Sequence, residues 1–153
     1  MVSENAIKKE FLKRYQISKK IQESIWDEIR ELRAGTMMPA VNMDGMPHGT
    51  GKSDLSSYAV QKEKLDKKLG KEVEHQIRIR KQIWKAIEDL PTEAEKMILK
   101  FRYINGWEWE KVAVHSCYTY RHTLRIHGEA LKHLQIPEWY LRQFQEKMSG
   151  YVT

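Results

Sequence analysis

The stretch that decides the fold is residues 92–134, TEAEKMILKFRYINGWEWEKVAVHSCYTYRHTLRIHGEALKHL. Its apolar spacing predicts three helices, the last two joined by a tight turn, and the outer face of the last helix is basic. This pattern is typical of a helix-turn-helix that places one helix in a DNA groove. The rest of the chain is expected to hold, pair or regulate that unit.

The first helix of the stretch is predicted to start at a capping box. The Thr92 hydroxyl and the Glu95 carboxylate can each accept a hydrogen bond from a free backbone N–H group of the first turn. Pro91 stops the preceding helix, and Asn105-Gly106 ends this one.

The second helix is expected from Trp107 to about His115, with Trp109, Val112 and Ala113 facing inward. The small side chain of Ala113 allows close crossing of the next helix, because a larger one would hold the two helices apart. Residues 116–118 form the turn.

The third helix is predicted to be capped by Thr119 and to run to about Leu134. Its buried side is expected to comprise Leu124, Ile126 or His127, Ala130, Leu131 and Leu134. Pro137 then breaks the chain before a final short amphipathic helix over 138–148.

Two long helices are predicted upstream, over 5–34 and 54–89, each with a narrow apolar stripe. Matching stripes of similar length indicate either an antiparallel hairpin or a coiled coil between subunits, and the sequence leaves both open. The predicted fold class is therefore all-α, two long helices followed by a helix-turn-helix domain. The predicted domains are 1–89, a helical hairpin or coiled coil with a loop at 35–53, and 90–153, the helix-turn-helix domain with a C-terminal helix.

The loop contains GTGKS (49–53), which suggests a phosphate-binding loop, but the spacing fails. The motif needs glycine at position 46, where the chain has Met46, and no apolar strand precedes it. No nucleotide or other cofactor is therefore expected.

The composition favours an anionic partner. The formal net charge is +6 and the pI about 9.3, which suits nucleic acid or a membrane surface. No apolar run approaches the roughly 18 residues of a membrane span, so no membrane partner is expected. One cysteine, Cys117, excludes an internal disulfide and fits a reducing compartment, so the cytoplasm is predicted. The start of the chain has no apolar segment typical of a signal peptide.

No metal site and no enzyme activity are predicted. His122, His127 and His133 are five and six residues apart, so they cannot converge on one ion from a single helix. Cys117 lies near histidines but lacks a third orienting group for nucleophilic catalysis. No carboxylate pair is placed for acid–base chemistry.

Three segments in order carry a family resemblance: RYING (102–106), WEKVA (109–113) and RIHGEAL (125–131). They resemble region 4 of bacterial sigma factors, and even more the sigma-like phage regulators of the ArpU and RinA type. The segment 45–56 is also similar to a loop in small phage proteins of this architecture. Three positions differ from the usual pattern: Glu108 where a serine or threonine cap is common, Ser116 where an apolar residue is usual, and Cys117 where glycine is frequent.

The resemblance implies sequence-specific binding to double-stranded DNA and transcription control of phage or prophage genes, at the nucleoid of a bacterial host. Host RNA polymerase is a further expected partner, and the long helices suggest a homo-oligomer. A helix starting at Thr119 presents side chains that can bond bases or phosphates, namely Tyr120, Arg121, His122 and Arg125. Lys111, Arg102 and Lys132 are candidates for phosphate contact.

Two other functions compete with this one. A protein-interaction adaptor would use the helical hairpin and bind no DNA. A phage packaging component, such as a small terminase subunit, also combines a helix-turn-helix with a coiled coil.

Overall fold

The computed structural model describes residues 2–37 and 51–151, with side chains for 2–35 and 55–151. Every element in these residues is helical, which confirms the all-α class. The helices are α1 (Glu4–Met37), α2 (Gly51–Glu88), α3 (Glu93–Leu99), α4 (Trp109–Ser116), α5 (Tyr120–His133) and α6 (Glu138–Gly150), and a π-helical segment (Lys100–Ile104) continues α3. Within the described ranges, none of these helices is both long and apolar enough to span a bilayer.

The two predicted long helices are present and extend beyond their expected ends. α1 continues through Gly35 to Met37, and α2 starts three residues before Asp54. Most of the predicted 35–53 loop, including the start of the GTGKS segment, lies outside the described residues.

The chain forms two compact units. Unit 1 comprises Met1–Ile17 and Ile77–Thr153, and unit 2 comprises Ser18–Gln76. This division does not coincide with the boundary expected between residues 89 and 90, because the first turns of α1 and the last turns of α2 belong with α3–α6.

The core of unit 1 joins the long helices to the segment that follows them. Phe11 on α1, Ile83 on α2 and Leu99 on α3 are fully buried, and Leu131 on α5 retains 2% exposure. The full cluster also includes Leu12, Tyr15, Ile79, Ala86, Ile87, Leu90, Tyr103, Ile104, Ala130 and Leu134. α5 therefore rests on a core to which both long helices contribute.

The start of α3 follows the predicted cap only in part. The backbone N–H of Glu95 donates to the Thr92 hydroxyl at 3.3 Å, so the cap is confirmed. The Glu95 carboxylate does not accept the expected second hydrogen bond from a backbone N–H group of the first turn. It is buried, and its Oε1 lies 2.9 Å from His133 Nδ1 on α5, so Glu95 ties α3 to α5.

The end of the π-helical segment is fixed by α1. Gln16 Nε2 donates to the carbonyls of Tyr103 (3.2 Å) and Ile104 (2.9 Å), which have lost their helical partners. Gly106 follows with φ +71°, and a Cβ there would lie 2.7 Å from Gln16 Oε1. Both the backbone angle and the close side chain therefore require glycine.

The turn between α4 and α5 is a Schellman motif. The N–H of Tyr118 donates to the carbonyl of Ala113 (3.1 Å), and that of Cys117 donates to the carbonyl of Val114 (3.2 Å). Cys117 adopts φ 60° and ψ 30°, a left-handed conformation that glycine usually supplies. Ser116 is buried, but its hydroxyl donates to the Val112 carbonyl at 2.8 Å, so this polar residue is satisfied.

The buried stripe of α5 differs from the prediction at one turn. Leu124 is 37% exposed, so its expected burial was wrong, and Thr123 is fully buried instead. Thr123 tolerates burial because its hydroxyl donates to the Thr119 carbonyl at 2.9 Å. His127, rather than Ile126, takes the disputed core position, and Ala130, Leu131 and Leu134 are buried as expected.

Unit 2 is an antiparallel hairpin of α1 and α2. Gln22 hydrogen-bonds Gln76, and Glu28 lies 3.8 Å from Lys68, so partner numbers fall along α2 as they rise along α1. The seam between the two helices consists of Ser18, Gln22, Ile25, Ile29 and Leu32 on α1 and Lys62, Leu65, Leu69, Glu72 and Gln76 on α2, all buried or half-buried. Of the two arrangements that the sequence left open, the antiparallel hairpin is therefore present within one chain.

α6 has no buried residue of its own and packs on the rest of unit 1 through aromatic rings. Tyr140 packs edge-on against Phe11 at 5.1 Å. The Arg14 guanidinium lies 4.5 Å from the Phe11 ring and 4.8 Å from the Tyr140 ring, and burial lowers the pKa of Arg14. Such contacts are worth about 0.5–2 kcal/mol each.

Candidate nucleic-acid interface

The outward side of α5 carries most of the predicted site residues. Thr119 caps the helix by accepting a hydrogen bond from the His122 N–H at 3.2 Å, as predicted. Tyr120, Arg121, Arg125 and Lys132 are all exposed. At 100° per residue, the two arginines and Lys132 fall in one line opposite the buried stripe of α5. We call this line, with Leu124 and Gly128 beside it, the α5 outer face. Tyr120 is exposed in the first turn of α5, but it lies on the side of the buried stripe rather than on this face.

Leu124 and Gly128 were not expected on this face. Gly128 lies between Arg125 and Lys132, and nothing is within 4 Å of where its Cβ would be. The α5 backbone can therefore be approached more closely there than elsewhere on the helix. Helical spacing gave no signal for the exposure of Leu124, because Leu124 stands seven residues before the buried Leu131 and so within about 20° of it around the helix.

His122 is oriented by Arg125. The Arg125 Nη2 donates to His122 Nδ1 at 2.8 Å, and the ring packs edge-on against Tyr118 at 4.9 Å. Because arginine can only donate, Nδ1 is the acceptor, which places the ring proton of the neutral imidazole on Nε2. His122 can therefore donate from Nε2 to a base or a phosphate.

The N-terminus of α5 adds a weak preference for anions. First-turn N–H groups have no acceptor within their helix, and the Thr119 hydroxyl satisfies only that of His122. The remaining N–H groups of Tyr120 and Arg121 suit a phosphate oxygen.

The other predicted phosphate contacts differ in their availability. Lys132 pairs with Glu129 at 3.2 Å, but both side chains are exposed and such pairs contribute little. Lys111 lies on α4, with its Nζ 4.5 Å from the Trp107 ring, and remains exposed. Arg102 is half-buried and donates to the Trp107 carbonyl at 2.9 Å, so its role is to hold the chain after α3.

A buried lysine that sequence reasoning missed supports the other end of α5. Lys8 on α1 is 6% exposed, and its Nζ donates to the Leu131 carbonyl at 2.8 Å. The same ammonium group lies 2.9 Å from Glu4. A cation at a helix C-terminus satisfies a free carbonyl and opposes the helix dipole. α1 therefore positions α5 directly.

A neutral polar pair fixes the inner side of α5. Tyr103 Oη lies 2.8 Å from His127 Nε2, and the Trp109 ring packs edge-on against the imidazole at 4.6 Å. Burial raises the pKa of Tyr103 to about 12. Burial, with Lys9 and Arg102, lowers the pKa of His127 to about 4. Both groups are thus uncharged at neutral pH, and the pair links the π-helical segment, α4 and α5.

The net charge of the protein is confined to unit 1. Unit 1 carries 17 basic and 11 acidic residues, a difference of +6, whereas unit 2 carries ten of each. The entire cationic excess therefore belongs to the unit that contains α5.

Among the described side chains, no three histidine, cysteine or acidic residues come together as metal ligands. Comparison of the chain with protein-family models, curated proteins and solved structures finds no match.

Proposed function

We propose that the protein is a sequence-specific, double-stranded-DNA-binding transcription regulator of phage or prophage genes, in the manner of sigma region 4. In this proposal α4, the turn and α5 form a helix-turn-helix, and α5 is the recognition helix. One observation carries it: Arg121, Arg125 and Lys132 form an exposed line on α5 opposite the stripe that anchors the helix. A recognition helix needs both a fixed inner side and a free outer side.

The candidate contact residues of α4 and α5 divide into two roles. Arg121 and Arg125 can each form two hydrogen bonds with guanine O6 and N7 in the major groove, and Tyr120 and His122 supply further donors. Lys132 and Lys111 would contact phosphates, which positions the protein without reading sequence. The charge distribution favours this partner, since the excess of six positive charges lies in unit 1.

The test is selection of a binding site from a random duplex library, followed by affinity measurements with variants. We expect Arg121→Ala with Arg125→Ala to cost about 1–3 kcal/mol per lost base contact and to relax the selected sequence. Lys132→Gln should weaken all duplexes alike and reduce the slope of log K against log [salt] by about 1.

The matched control removes two positive charges from exposed positions on α6. Arg142→Ala with Lys147→Ala leaves the α5 outer face intact and should keep the selected sequence. Unchanged affinity in the Arg121/Arg125 variant, or equal losses in both variants, would rule out α5 as the recognition helix. Absence of any duplex binding at low salt would favour the adaptor function instead.

A further inference from the structure

Unit 2 buries few of its own side chains. It has described side chains at 18 positions of α1 and 22 of α2, and only Ser18, Ile25 and Ile29 among them are buried. Burial of apolar side chains is the main favourable contribution to folding, and the loss of backbone freedom at every ordered residue opposes it. This hairpin therefore has a small core for its length, and burying more of its apolar surface against a binding partner would stabilise it.

The two sides of the hairpin can be told apart by one ion pair. Glu28 and Lys68 each precede a seam residue, Ile29 and Leu69, and they lie 3.8 Å apart on the same side. Successive residues of a helix are 100° apart. Residues directly before a seam residue therefore share one side of the hairpin with Glu28 and Lys68. Residues directly after a seam residue lie on the other side of the hairpin, on both helices.

That opposite side is exposed and partly apolar. On α1 it carries Trp26, which is 47% exposed, together with Arg30 and Arg33. On α2 it carries Glu63, Asp66, Gly70 and Val73, all exposed. We call these seven residues the Trp26 face.

We propose that the Trp26 face binds the Trp26 face of a second copy of this chain. Contacting residues of α1 and α2 have numbers that add to between 90 and 98, as in Ser18–Glu72, Gln22–Gln76 and Glu28–Lys68. A twofold axis parallel to the helices places α1 of each copy on α2 of the other at about the same level. Trp26 of one copy then lies near Gly70 of its partner.

Shape and charge are complementary in this arrangement. Nothing is within 4 Å of the Cβ position of Gly70, so an indole can lie there beside Val73. At this level Arg30 and Arg33 face the segment of the other copy's α2 that carries Glu63 and Asp66. Within one copy Arg30 pairs with Asp27 and Glu63 with Lys67, but these are exposed pairs within a single helix, which contribute little and can exchange partners. Glu23 also follows a seam residue on α1, so the basic part of this side of α1 is the segment with Arg30 and Arg33. That segment lies where its partner presents acidic residues.

The net charge of unit 2 fits a second copy better than DNA. Ten basic and ten acidic residues give no net charge, so two copies do not repel each other and a polyanion is not attracted.

The decisive experiment exchanges the charges, with the full chain studied by sedimentation equilibrium. The wild type should have twice the 18.2 kDa of one chain. Arg30→Glu with Arg33→Glu should weaken self-association at least tenfold, because acidic residues then face acidic residues. Glu63→Arg with Asp66→Arg should do the same. An equimolar mixture of the two variants should associate again, since every facing pair is then opposite in charge.

A matched pair of single substitutions controls for loss of folding. Trp26→Glu should give a monomer, whereas Ile21→Glu should stay dimeric, because Ile21 is 41% exposed but precedes the seam residue Gln22. Circular dichroism checks that each variant keeps its helices. A monomeric wild type, or no association in the mixture, would overturn the proposal. None of these measurements involves DNA, so the result is independent of the proposed function.

Discussion

Cys117 is the residue where this chain departs most clearly from the backbone preference of its side chain. Its φ of 60° costs a non-glycine residue about 1–2 kcal/mol. The side chain is exposed, so it contributes little packing in return. Among the described residues it is the one non-glycine position with positive φ. A glycine there would keep the turn and remove the strain.

We therefore expect Cys117→Gly to raise the free energy of unfolding by about 0.5–1 kcal/mol, after the larger entropy of glycine in the unfolded chain is subtracted. Urea denaturation followed by circular dichroism measures this. Cys117→Ala is the control and should bring no gain, because alanine retains a Cβ. Equal stability of the two variants would show that the left-handed turn is not strained.

His127 makes stability depend on pH in a defined window. Its pKa is about 4 in the folded protein and about 6.5 when unfolded, so between these values only the unfolded chain binds the proton. This group therefore contributes its full stabilisation above pH 6.5 and loses it progressively as the pH falls towards 4.

The expected loss from this histidine is at most about 3 kcal/mol between pH 7 and pH 4, at about 1.4 kcal/mol per pKa unit. The measurement compares unfolding of the wild type and His127→Gln across this range. The other titrating groups are common to both proteins, so their contributions cancel in the difference between the two free energies of unfolding. This difference should become smaller as the pH falls. A constant difference would mean that His127 titrates normally in the folded state.

At the scale of elements, α5 is anchored by partners from distant parts of the chain. The cap at Thr119 and the stripe at Ala130, Leu131 and Leu134 were predictable because they depend on residues close in sequence. Lys8, which donates to the Leu131 carbonyl, was not predictable, since nothing near position 8 indicates which helix end it will meet. The same holds for Gln16 at the end of the π-helical segment.

Two errors in the predicted elements have one physical cause. Leu124 was placed inside because it is apolar, and Glu95 was assigned to its own helix N-terminus because the capping box is a local pattern. In the structure Thr123 is buried because its hydroxyl bonds the Thr119 carbonyl, and Glu95 bonds His133 on α5. Polar residues that find an internal partner are the ones that a hydrophobicity pattern misplaces.

Gly128 lies in the interior of α5, and no neighbouring described residue packs so closely that glycine is required there. Because its Cβ position is open, Gly128→Ala should raise the free energy of unfolding by about 0.5–1 kcal/mol. Gly70→Ala on α2, made in the Trp26→Glu background so that the proposed dimer contact is absent, is a matched control for the helix preference, since its Cβ position is open as well. Thermal or urea unfolding gives both values. If Gly128→Ala instead lowered the free energy of unfolding, the space around the Gly128 Cβ position would not be open in solution.

At the scale of the whole molecule, the net charge is distributed unequally between the two units. Unit 1 holds the excess of six positive charges and the α5 outer face, whereas unit 2 is neutral and exposes Trp26. The proposed DNA contacts and the proposed dimer contacts therefore lie on different units, so each can be removed by substitution without changing the other.

If both proposals hold, the bound DNA should carry two half-sites related by twofold symmetry, because an isologous dimer presents two identical α5 helices. Trp26→Glu should then bind a full site much more weakly than the wild type, since the second half-site no longer gains from being linked to the first. Both proteins should bind an isolated half-site with the same affinity, because the α5 outer face is unchanged. Titration of full-site and half-site duplexes with both proteins measures this. A monomeric Trp26→Glu protein that binds the full site as tightly as the wild type would separate dimerisation from DNA recognition.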